Sequence, residues 1–515
     1  MGWHNRSRFE KQESQKEVSV FYGIRTVNSD IIKIHFVFIF PEPCDIVELK
    51  MGENIMNDIY LLNYSVKGIK TLDQLVSLSF YKKTISRDMD TQEYNIKGIY
   101  GMNGSGKSGI ITSVSILKNL LIDPNYLNNP ITQKNLDGIV NKKTKELFME
   151  ADYLVDLEND LFCFRYCVTL IRDVSGKYVI SQESLSVRKA VSKSDEMGMI
   201  FEVTAGKVDF LYGEEKEDSF STAIINRTMN LLSTASMCAL LCGKFSYENR
   251  KKIQEKQIFF FVSTCSLYIL GHKLHVYLDQ SDDHREFIRK NLLEDYEYDN
   301  VHASIFAYYL KIDKYLKIDK NILSVISVTK NLISKEKYAQ FEKTIHRLYE
   351  FLHIFKSDLQ KIEIDKKENQ NFFVCDLVMV YDSYKIHAEY ESTGIKKLVR
   401  LFAYLNEMVR GGIVFIDEFD SNLHDVYLCA LLEYLMEYGK GQLCFTTHNV
   451  GPMDVLKQRK KSIDFLSEDH KIYPWTKSGN YSPSRLYRNG MIEGSPFNID
   501  SIDFISVFGS GEEDE

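Results

Sequence analysis

Residues 101–108 of this 515-residue chain read GMNGSGKS, which matches the pattern GxxxxGK[ST] at every defined position. The preceding residues end in the apolar pair Ile99 and Tyr100, and residues 107–121 carry Ile and Leu at helical spacing. A strand, a glycine-rich turn and a helix are therefore predicted to follow one another directly. Such a turn aims backbone N–H groups and a positive helix N-terminus at one point, which makes it a cradle for phosphate.

The residue types in this cradle predict distinct roles in an ATP site. Gly104 and Gly106 let the backbone turn closely around the phosphates. Lys107 is expected to reach the β- and γ-phosphates, and Ser108 is expected to ligate Mg²⁺ through its hydroxyl. Asn103, Gly104, Ser105 and Gly106 complete the predicted ATP-binding loop.

Two later segments read as buried strands that end in polar residues. Residues 412–418, GIVFIDE, place Asp417 and Glu418 after an apolar run, a pattern typical of a parallel strand with function at its carboxyl end. Asp417 is predicted to hold Mg²⁺ directly or through water, and Glu418 to serve as general base for water. The alternative is a strand that simply ends in surface acids. Residues 441–448, GQLCFTTH, end the next unit at His448, which we predict to contact the γ-phosphate or to order the water unless it is only structural.

A further segment, ESTGIKKL at residues 391–398, precedes the acidic strand and opens an amphipathic helix over 395–408. It looks like the signature motif of ABC-type ATPases. In that class its Ser392 and Gly394 would bind the γ-phosphate held by another subunit. Residues 421–424, SNLH, stand where such ATPases have the D-loop. The order of cradle, signature, acidic strand, D-loop and histidine is that of the ABC class, with most of the chain lying between the first two motifs.

The chain more closely resembles the single-chain ABC-type AAA ATPases of bacterial anti-phage and abortive-infection systems, including the overcoming-lysogenization-defect, PARIS, Septu and AbiL types. Their sequences typically contain E-S-x-G-x-x-[KR]-L, I-D-E-x-D-x-x-L-H and T-T-H, where this chain has ESTGIKKL, IDEFDSNLH and TTH. The resemblance covers about residues 59–214 and 362–508. It implies ATP and Mg²⁺ as ligands, ATP hydrolysis as the activity, and ATP-dependent association into a homodimer or larger homo-oligomer.

Three features depart from the family pattern. Asp425 stands where relatives often have proline, which bears on contacts between subunits. Thr393 and Ile395 vary the signature without removing its Ser or Gly. No glutamine is clearly placed for the loop that couples the lobes in ABC ATPases, and Gln133 is a weak candidate.

The predicted fold is an α/β P-loop ATPase head of the ABC type. It has a mixed, mainly parallel sheet flanked by helices, an antiparallel β lobe and a helical insertion. The predicted parts are an N-terminal extension (1–55), an N-terminal lobe that contains the phosphate cradle, or P-loop (56–213), the helical insertion (214–357), a C-terminal lobe (358–508) and an acidic tail (509–515). Met56 follows Gly52 and Glu53, whose codons can resemble a ribosome-binding sequence, so we expect translation to begin at Met56.

The composition of the chain limits which partners it can bind and indicates in which cellular compartment it works. The net charge of −8 is spread through the chain, which argues against a general nucleic-acid coat but leaves a local basic groove open. The longest early apolar run, residues 34–40, is too short to span a bilayer, and no membrane segment is predicted. Nine cysteines without a secretory signal predict reduced thiols and a cytoplasmic protein. The pairs Cys163 with Cys167 and Cys238 with Cys242 favour core packing over a metal site, because no His accompanies them at ligand spacing.

Two functions follow from the resemblance. The first is a sensor or regulator ATPase of a phage-defence system that controls a separately encoded toxic effector, such as a nuclease. Few residues follow His448, so no nuclease domain of its own is expected there, and the insertion would recognise the effector, a phage protein or DNA. The second is a DNA-repair ATPase similar to RecF or SMC proteins, for which basic clusters at 250–252 and 457–461 could bind DNA; a solvated charged face is the alternative for these clusters. An ABC transporter subunit is disfavoured because the helical insertion is large and the sequence shows no surface for a transmembrane partner.

Overall fold

A computed structural model gives the fold. The structure describes residues 59–82, 84–85, 90–157, 160–191, 195–213, 231, 233–244, 257–278, 326–369, 372–476 and 481–495, together with the backbone of three N-terminal strands. These strands are β1 (Ser19–Ile24), β2 (Ile34–Ile39) and β3 (Val47–Lys50), which pair antiparallel in the order β1-β2-β3. The rest of the predicted extension and the predicted acidic tail lie outside the described residues.

The remaining strands are β4 (Ile59–Lys67), β5 (Val76–Ser79), β6 (Ile96–Gly101), β7 (Glu146–Leu157), β8 (Asp160–Arg172), β9 (Tyr178–Lys189), β10 (Gly198–Thr204), β11 (Lys207–Leu211), β12 (Leu274–Tyr277), β13 (Asn331–Ser334), β14 (Leu359–Asn369), β15 (Phe372–Tyr381), β16 (Lys385–His387), β17 (Ile413–Ile416), β18 (Gln442–Thr446), β19 (Ile463–Leu466) and β20 (Ile472–Pro474). The helices are α1 (Lys107–Ile122), α2 (Pro130–Ile139), α3 (Met237–Lys244), α4 (Ile258–Lys273), α5 (Tyr338–Phe355), α6 (Thr393–Arg410), α7 (Asp425–Tyr438), α8 (Gly451–Leu456) and α9 (Pro483–Arg488). Short 3-10 turns lie at Gln92–Tyr94, Tyr126–Asn128, Lys335–Lys337 and Ala388–Tyr390.

The central sheet has six strands in the order β12-β17-β18-β6-β19-β20. Neighbours from β12 to β19 run parallel, and only β20 pairs antiparallel. Every residue of β6, β17 and β18 is buried, as expected for parallel strands covered on both faces. The carboxyl ends of these three strands therefore meet at one edge, where the loops after Gly101, Ile416 and Thr446 begin.

A second, antiparallel sheet covers α1. Its seven strands lie in the order β11-β10-β9-β8-β7-β4-β5, and it forms the antiparallel β lobe that the sequence predicts. Helix α1 packs between this sheet and the central one, with α3 and α4 beside it. The buried side chain of Gln442 joins the two sheets by accepting from the Leu61 N–H at 2.7 Å and donating to the Leu61 carbonyl at 2.9 Å.

The opposite face of the central sheet packs against α6, α7 and α8. Helix α6 also contributes to a third core, formed by α5 and the antiparallel strands β13, β14 and β15, with β16 paired to β15. Helix α6 thus contacts both the central sheet and the sheet of β13 to β16, which we call the C-terminal layer. The mixed α/β class with several sheets and flanking helices is as predicted.

The predicted helical insertion, 214–357, contains more than helices in its described part. Strand β12 forms the edge of the central sheet, and β13 joins the C-terminal sheet. Helix α5 packs on β14 and α6, so it belongs with the C-terminal layer. The sequence LHVY of β12 is a four-residue apolar run directly after an apolar helix, and periodicity cannot distinguish such a short strand from more helix. Among the described helices, none is both long and apolar enough to cross a bilayer.

Candidate active site

The cradle predicted from GMNGSGKS is the turn between β6 and α1. The backbone N–H groups of residues 106–108 and of Gly104 find no acceptor among the described residues. Gly106 has a φ of +104°, and a Cβ there would lie 2.4 Å from the Leu72 side chain, so only glycine fits. The buried Ser105 hydroxyl also has no hydrogen-bond partner in the described part of the chain. Unpaired donors around a helix N-terminus suit a phosphate group.

Lys107 is buried at the start of α1. Its ammonium donates to the carbonyls of Gly101 and Met102 at 2.8 and 2.9 Å. Burial lowers its pKa to about 8, although the carboxylates of Asp417, Glu418 and Asp420 act in the opposite direction. The side chain is thus held at the mouth of the loop by neutral acceptors that an anionic phosphate would replace.

Ser108 and Asp417 meet although most of the chain separates them. The Ser108 hydroxyl donates to Asp417 Oδ1 at 3.1 Å, and the Thr446 hydroxyl donates to the same oxygen at 2.6 Å. Asp417 is 2 % exposed, so its carboxylate is fixed on the floor of the site. A hydroxyl and a carboxylate oxygen at this distance are the hard ligands that Mg²⁺ prefers, so the residues present fit that metal.

Thr446 was not predicted from sequence as a site residue. Its hydroxyl accepts from the Glu418 N–H at 2.8 Å while it donates to Asp417, so one side chain orients both acids. Its carbonyl accepts from the Phe419 N–H at 3.0 Å. The motif TTH offered a signal, because a threonine at the end of the neighbouring parallel strand can reach across to the acidic strand.

We expect Thr446→Val to lower Mg²⁺-dependent ATP hydrolysis by about 10- to 100-fold, the usual cost of losing a residue that orients a metal ligand. The substitution keeps the shape of the side chain but removes both hydrogen bonds of the hydroxyl. Thr446→Ser keeps the hydroxyl and should stay within about threefold of wild type. Initial rates measured over a Mg²⁺ series test this, and equal rates for the Val and Ser proteins would contradict it.

Glu418 directly follows the buried Asp417 and is only partly buried. Its φ of +47° is unusual for a residue with a side chain, and such a conformation persists only where the surroundings hold it. The Thr446 hydroxyl holds its N–H, and the Lys397 ammonium donates to its carbonyl. The backbone of Glu418 is therefore held at both its N–H and its carbonyl.

Lys397 is a second site residue that the motif analysis did not predict to have a role. It lies on α6, 4 % exposed, and also donates to the Ser421 hydroxyl. One ammonium group thus connects the signature helix with the backbone of Glu418 and with the D-loop. A lysine buried among apolar positions of an amphipathic helix was the available signal.

We expect Lys397→Met to reduce the rate of ATP hydrolysis by about tenfold while ATP affinity changes little, because it frees the Glu418 backbone without touching the cradle. Among the described residues, the neighbouring Lys396 donates to the Glu389 carbonyl at 3.2 Å and not to Glu418, so Lys396→Met is the matched control and should stay near wild type. Paired measurements of hydrolysis rate and nucleotide affinity separate the two lysines. Equal losses in both variants would contradict a specific role for Lys397.

His448 follows β18 by two residues and is exposed. Its ring makes no hydrogen bond with any described residue. Although the side chain is exposed, nearby protein atoms partly desolvate the ring and lower its pKa. The positive charge of Lys107 lowers this pKa further, while the carboxylates of Asp420 and Asp417 act in the opposite direction. A neutral imidazole beside the cradle and the acids can accept or donate one hydrogen bond at the γ-phosphate position.

The signature residues occupy the N-terminus of α6. Ser392 caps the helix by accepting from the Ile395 N–H at 3.3 Å, and it is exposed. A Cβ at Gly394 would lie 2.6 Å from the Asn422 carbonyl, so glycine allows the helix to approach the D-loop. In the described structure no hydrogen bond joins Ser392 or Gly394 to residues 101–108 of the same chain. Ser392 is therefore exposed to other molecules, while Gly394 packs against the D-loop.

Other candidates from the sequence have structural roles. The Gln133 amide donates to the carbonyls of Leu127 and Tyr178 at 2.6 and 3.0 Å, and its oxygen accepts from the Tyr178 N–H at 2.7 Å. Gln133 therefore fastens α2 to β9. Cys163, Cys238 and Cys242 are buried in hydrophobic cores. No cluster of three or more metal-ligating His, Cys, Asp or Glu residues occurs in the described ranges.

No family model matches the chain, and no curated protein does. Among solved structures, a similar chain is that of the recombination mediator protein RecF with ATPγS, from the RecFOR pathway. It is 13% identical and the match covers 82% of this chain and 100% of that chain, with a TM-score of 0.34. Likeness at this level assigns neither a family nor a function to this chain.

Proposed function

We propose that this chain is an ABC-type switch ATPase that binds ATP with Mg²⁺ and hydrolyses it at a site completed by a second copy of the chain. The observation that carries the proposal is the Ser108–Asp417–Thr446 network. It brings the loops after β6, β17 and β18 together, with the cradle, two acids and His448 at one edge of the central sheet. That edge is where parallel α/β sheets bind ligands.

In this proposal the cradle N–H groups and Lys107 bind the β- and γ-phosphates. Ser108 and Asp417 would hold Mg²⁺, which neutralises phosphate charge when bound. Glu418 accepts the proton of the attacking water, and His448 contacts the γ-phosphate or orders that water. No covalent intermediate is required, because the residues act by positioning and by stabilising charge.

The outward-facing signature helix supports completion of the site by another copy. The exposed Ser392 hydroxyl lies at the N-terminus of α6, where the helix dipole favours an anion. Placed against the γ-phosphate in a second copy's cradle, this helix end would make the bound and hydrolysed states differ in subunit contacts. ATP would then act as a switch between two assemblies.

The test of the activity is ATP hydrolysis by the purified wild-type chain with and without Mg²⁺. We expect turnover with Mg²⁺ and loss of turnover with excess EDTA. Ser108→Ala should raise the Mg²⁺ concentration needed for half-maximal hydrolysis, because it removes one of the two proposed ligands. A chain that neither binds nor hydrolyses ATP would overturn the proposal.

We propose, on the resemblance alone, that the switch regulates a separately encoded effector in a cytoplasmic phage-defence system, with a phage protein or DNA as trigger. The DNA-repair alternative relied on basic residues at 250–252 and 457–461. The first cluster lies outside the described residues, and in the second the cations have intramolecular partners. Lys460 pairs with Glu93 at 2.5 Å, and Lys461 donates to the Tyr81 carbonyl at 2.8 Å. These contacts agree with a solvated charged face and argue against a DNA-binding surface at 457–461.

The two cellular roles are separated by a pull-down of the Glu418→Gln protein from cells that express its neighbouring genes, with ATP and Mg²⁺ present. Recovery of a co-encoded protein that the wild type releases after hydrolysis supports the regulator. Recovery of DNA alone, with an affinity that falls steeply as salt rises, supports the repair ATPase.

A further inference from the structure

Asn449 is the residue after His448. Both its backbone and its side chain form hydrogen bonds with other residues. Its backbone N–H donates to Asp420 Oδ2 at 3.1 Å and to the Thr447 hydroxyl at 2.9 Å. Its side-chain amide donates to Asp425 Oδ1 at 2.9 Å, while its side-chain oxygen accepts from the Gly451 N–H at 2.9 Å. The peptide that carries His448 is therefore fixed by the residue that follows it.

The two carboxylates that hold Asn449 flank the D-loop. Asp420 lies immediately before residues 421–424, and Asp425 lies immediately after them as the first residue of α7. Both ends of the D-loop are thus bound to one residue of the histidine loop. A Cβ on Gly451 would lie 2.4 Å from the Asp425 carboxylate oxygens, so the two loops are packed together as well as hydrogen-bonded.

We propose that Asn449 is a positioning residue that ties His448 to the D-loop, so that a displacement of the D-loop moves His448 relative to the cradle. The proposal rests on the proposed ATPase function and adds to it a physical link between the D-loop and the residue proposed to contact the γ-phosphate. Asp425 belongs to this link. Its carboxylate is the acceptor that receives the Asn449 amide.

The hydrogen bond between Asp425 and Asn449 can be broken and restored without changing the size of either side chain. Asn449→Asp places two carboxylates about 2.9 Å apart and removes the donor, while its oxygen can still accept from Gly451. The double substitution Asp425→Asn with Asn449→Asp exchanges donor and acceptor and restores both the bond and the net charge. Asn489→Asp makes the same chemical change at an exposed position and is the control.

We expect Asn449→Asp to lower kcat for ATP hydrolysis by about tenfold with KM for ATP within about twofold of wild type, because the cradle is untouched. The kcat of the double variant should recover to within about threefold of the wild-type value. The kcat of the control, Asn489→Asp, should equal that of wild type. Unchanged kcat in Asn449→Asp, or no recovery in the double variant while thermal unfolding midpoints match, would overturn the link. A wild-type chain without ATP hydrolysis would instead refute the proposed function.

Discussion

The Glu418→Gln protein is expected to bind ATP about as tightly as wild type but to hydrolyse it at least about 100-fold more slowly. Glutamine has the shape of glutamate but cannot take the proton of the attacking water. The backbone contacts that place residue 418, from Thr446 and Lys397, do not involve its carboxylate and should persist. With hydrolysis blocked, the ATP-bound assembly should accumulate as a species of twice the monomer mass or more.

Equilibrium binding of a fluorescent ATP analogue, single-turnover hydrolysis and light scattering after size exclusion measure the three parts of this prediction. Glu437→Gln is the matched control, since it makes the same change on the exposed face of α7. It should bind, hydrolyse and dissociate like wild type. Hydrolysis by Glu418→Gln within a few-fold of wild type would remove Glu418 from the role of general base.

Lys107→Met should weaken ATP binding by about 100-fold, because the phosphates lose a charge-assisted donor. The wild type should also show a characteristic pH dependence. Burial lowers the pKa of Lys107 to about 8, so the free protein loses this positive charge as pH rises above that value. Bound phosphate favours the charged form, and binding then requires proton uptake. Kd for ATP should therefore rise above pH 8, approaching about tenfold per pH unit.

Nucleotide titrations at pH 7, 8 and 9 test this directly. The Lys107→Met protein should bind weakly at every pH, without the rise that titration of Lys107 produces. Lys134→Met, at an exposed position on α2, should keep both the wild-type affinity and the wild-type pH profile. A wild-type Kd that is flat across this range would show that Lys107 does not titrate there or does not bind the phosphates.

The candidate site residues that the sequence predicted are those that belong to short motifs of neighbouring residues. A glycine-rich turn between strand and helix predicted Lys107 and Ser108, and an apolar strand ending in two acids predicted Asp417 and Glu418. Parallel pairing then explains why Ser108 and Asp417 meet, because both follow strands that end at the same edge. Short sequence motifs can therefore predict candidate site residues that lie at the carboxyl ends of parallel strands.

The residues that sequence analysis did not predict act across the fold. Thr446 and Lys397 act on Glu418 from another strand and from α6, and no spacing in the sequence encodes those contacts. Asn449 links two loops that only the tertiary structure brings together. Strand β12 was missed for a different reason, since four apolar residues after an apolar helix carry no period of their own.

The central claim, that one copy's cradle works with another copy's signature helix, is tested most directly by mixing two inactive proteins. Lys107→Met lacks a working cradle, and Ser392→Arg blocks the exposed signature end of α6. Each alone should be inactive, but an equal mixture should recover up to about a quarter of the wild-type rate, because each mixed dimer contains one intact composite site. A mixture as inactive as its components, from proteins shown to associate, would contradict a site shared between two copies.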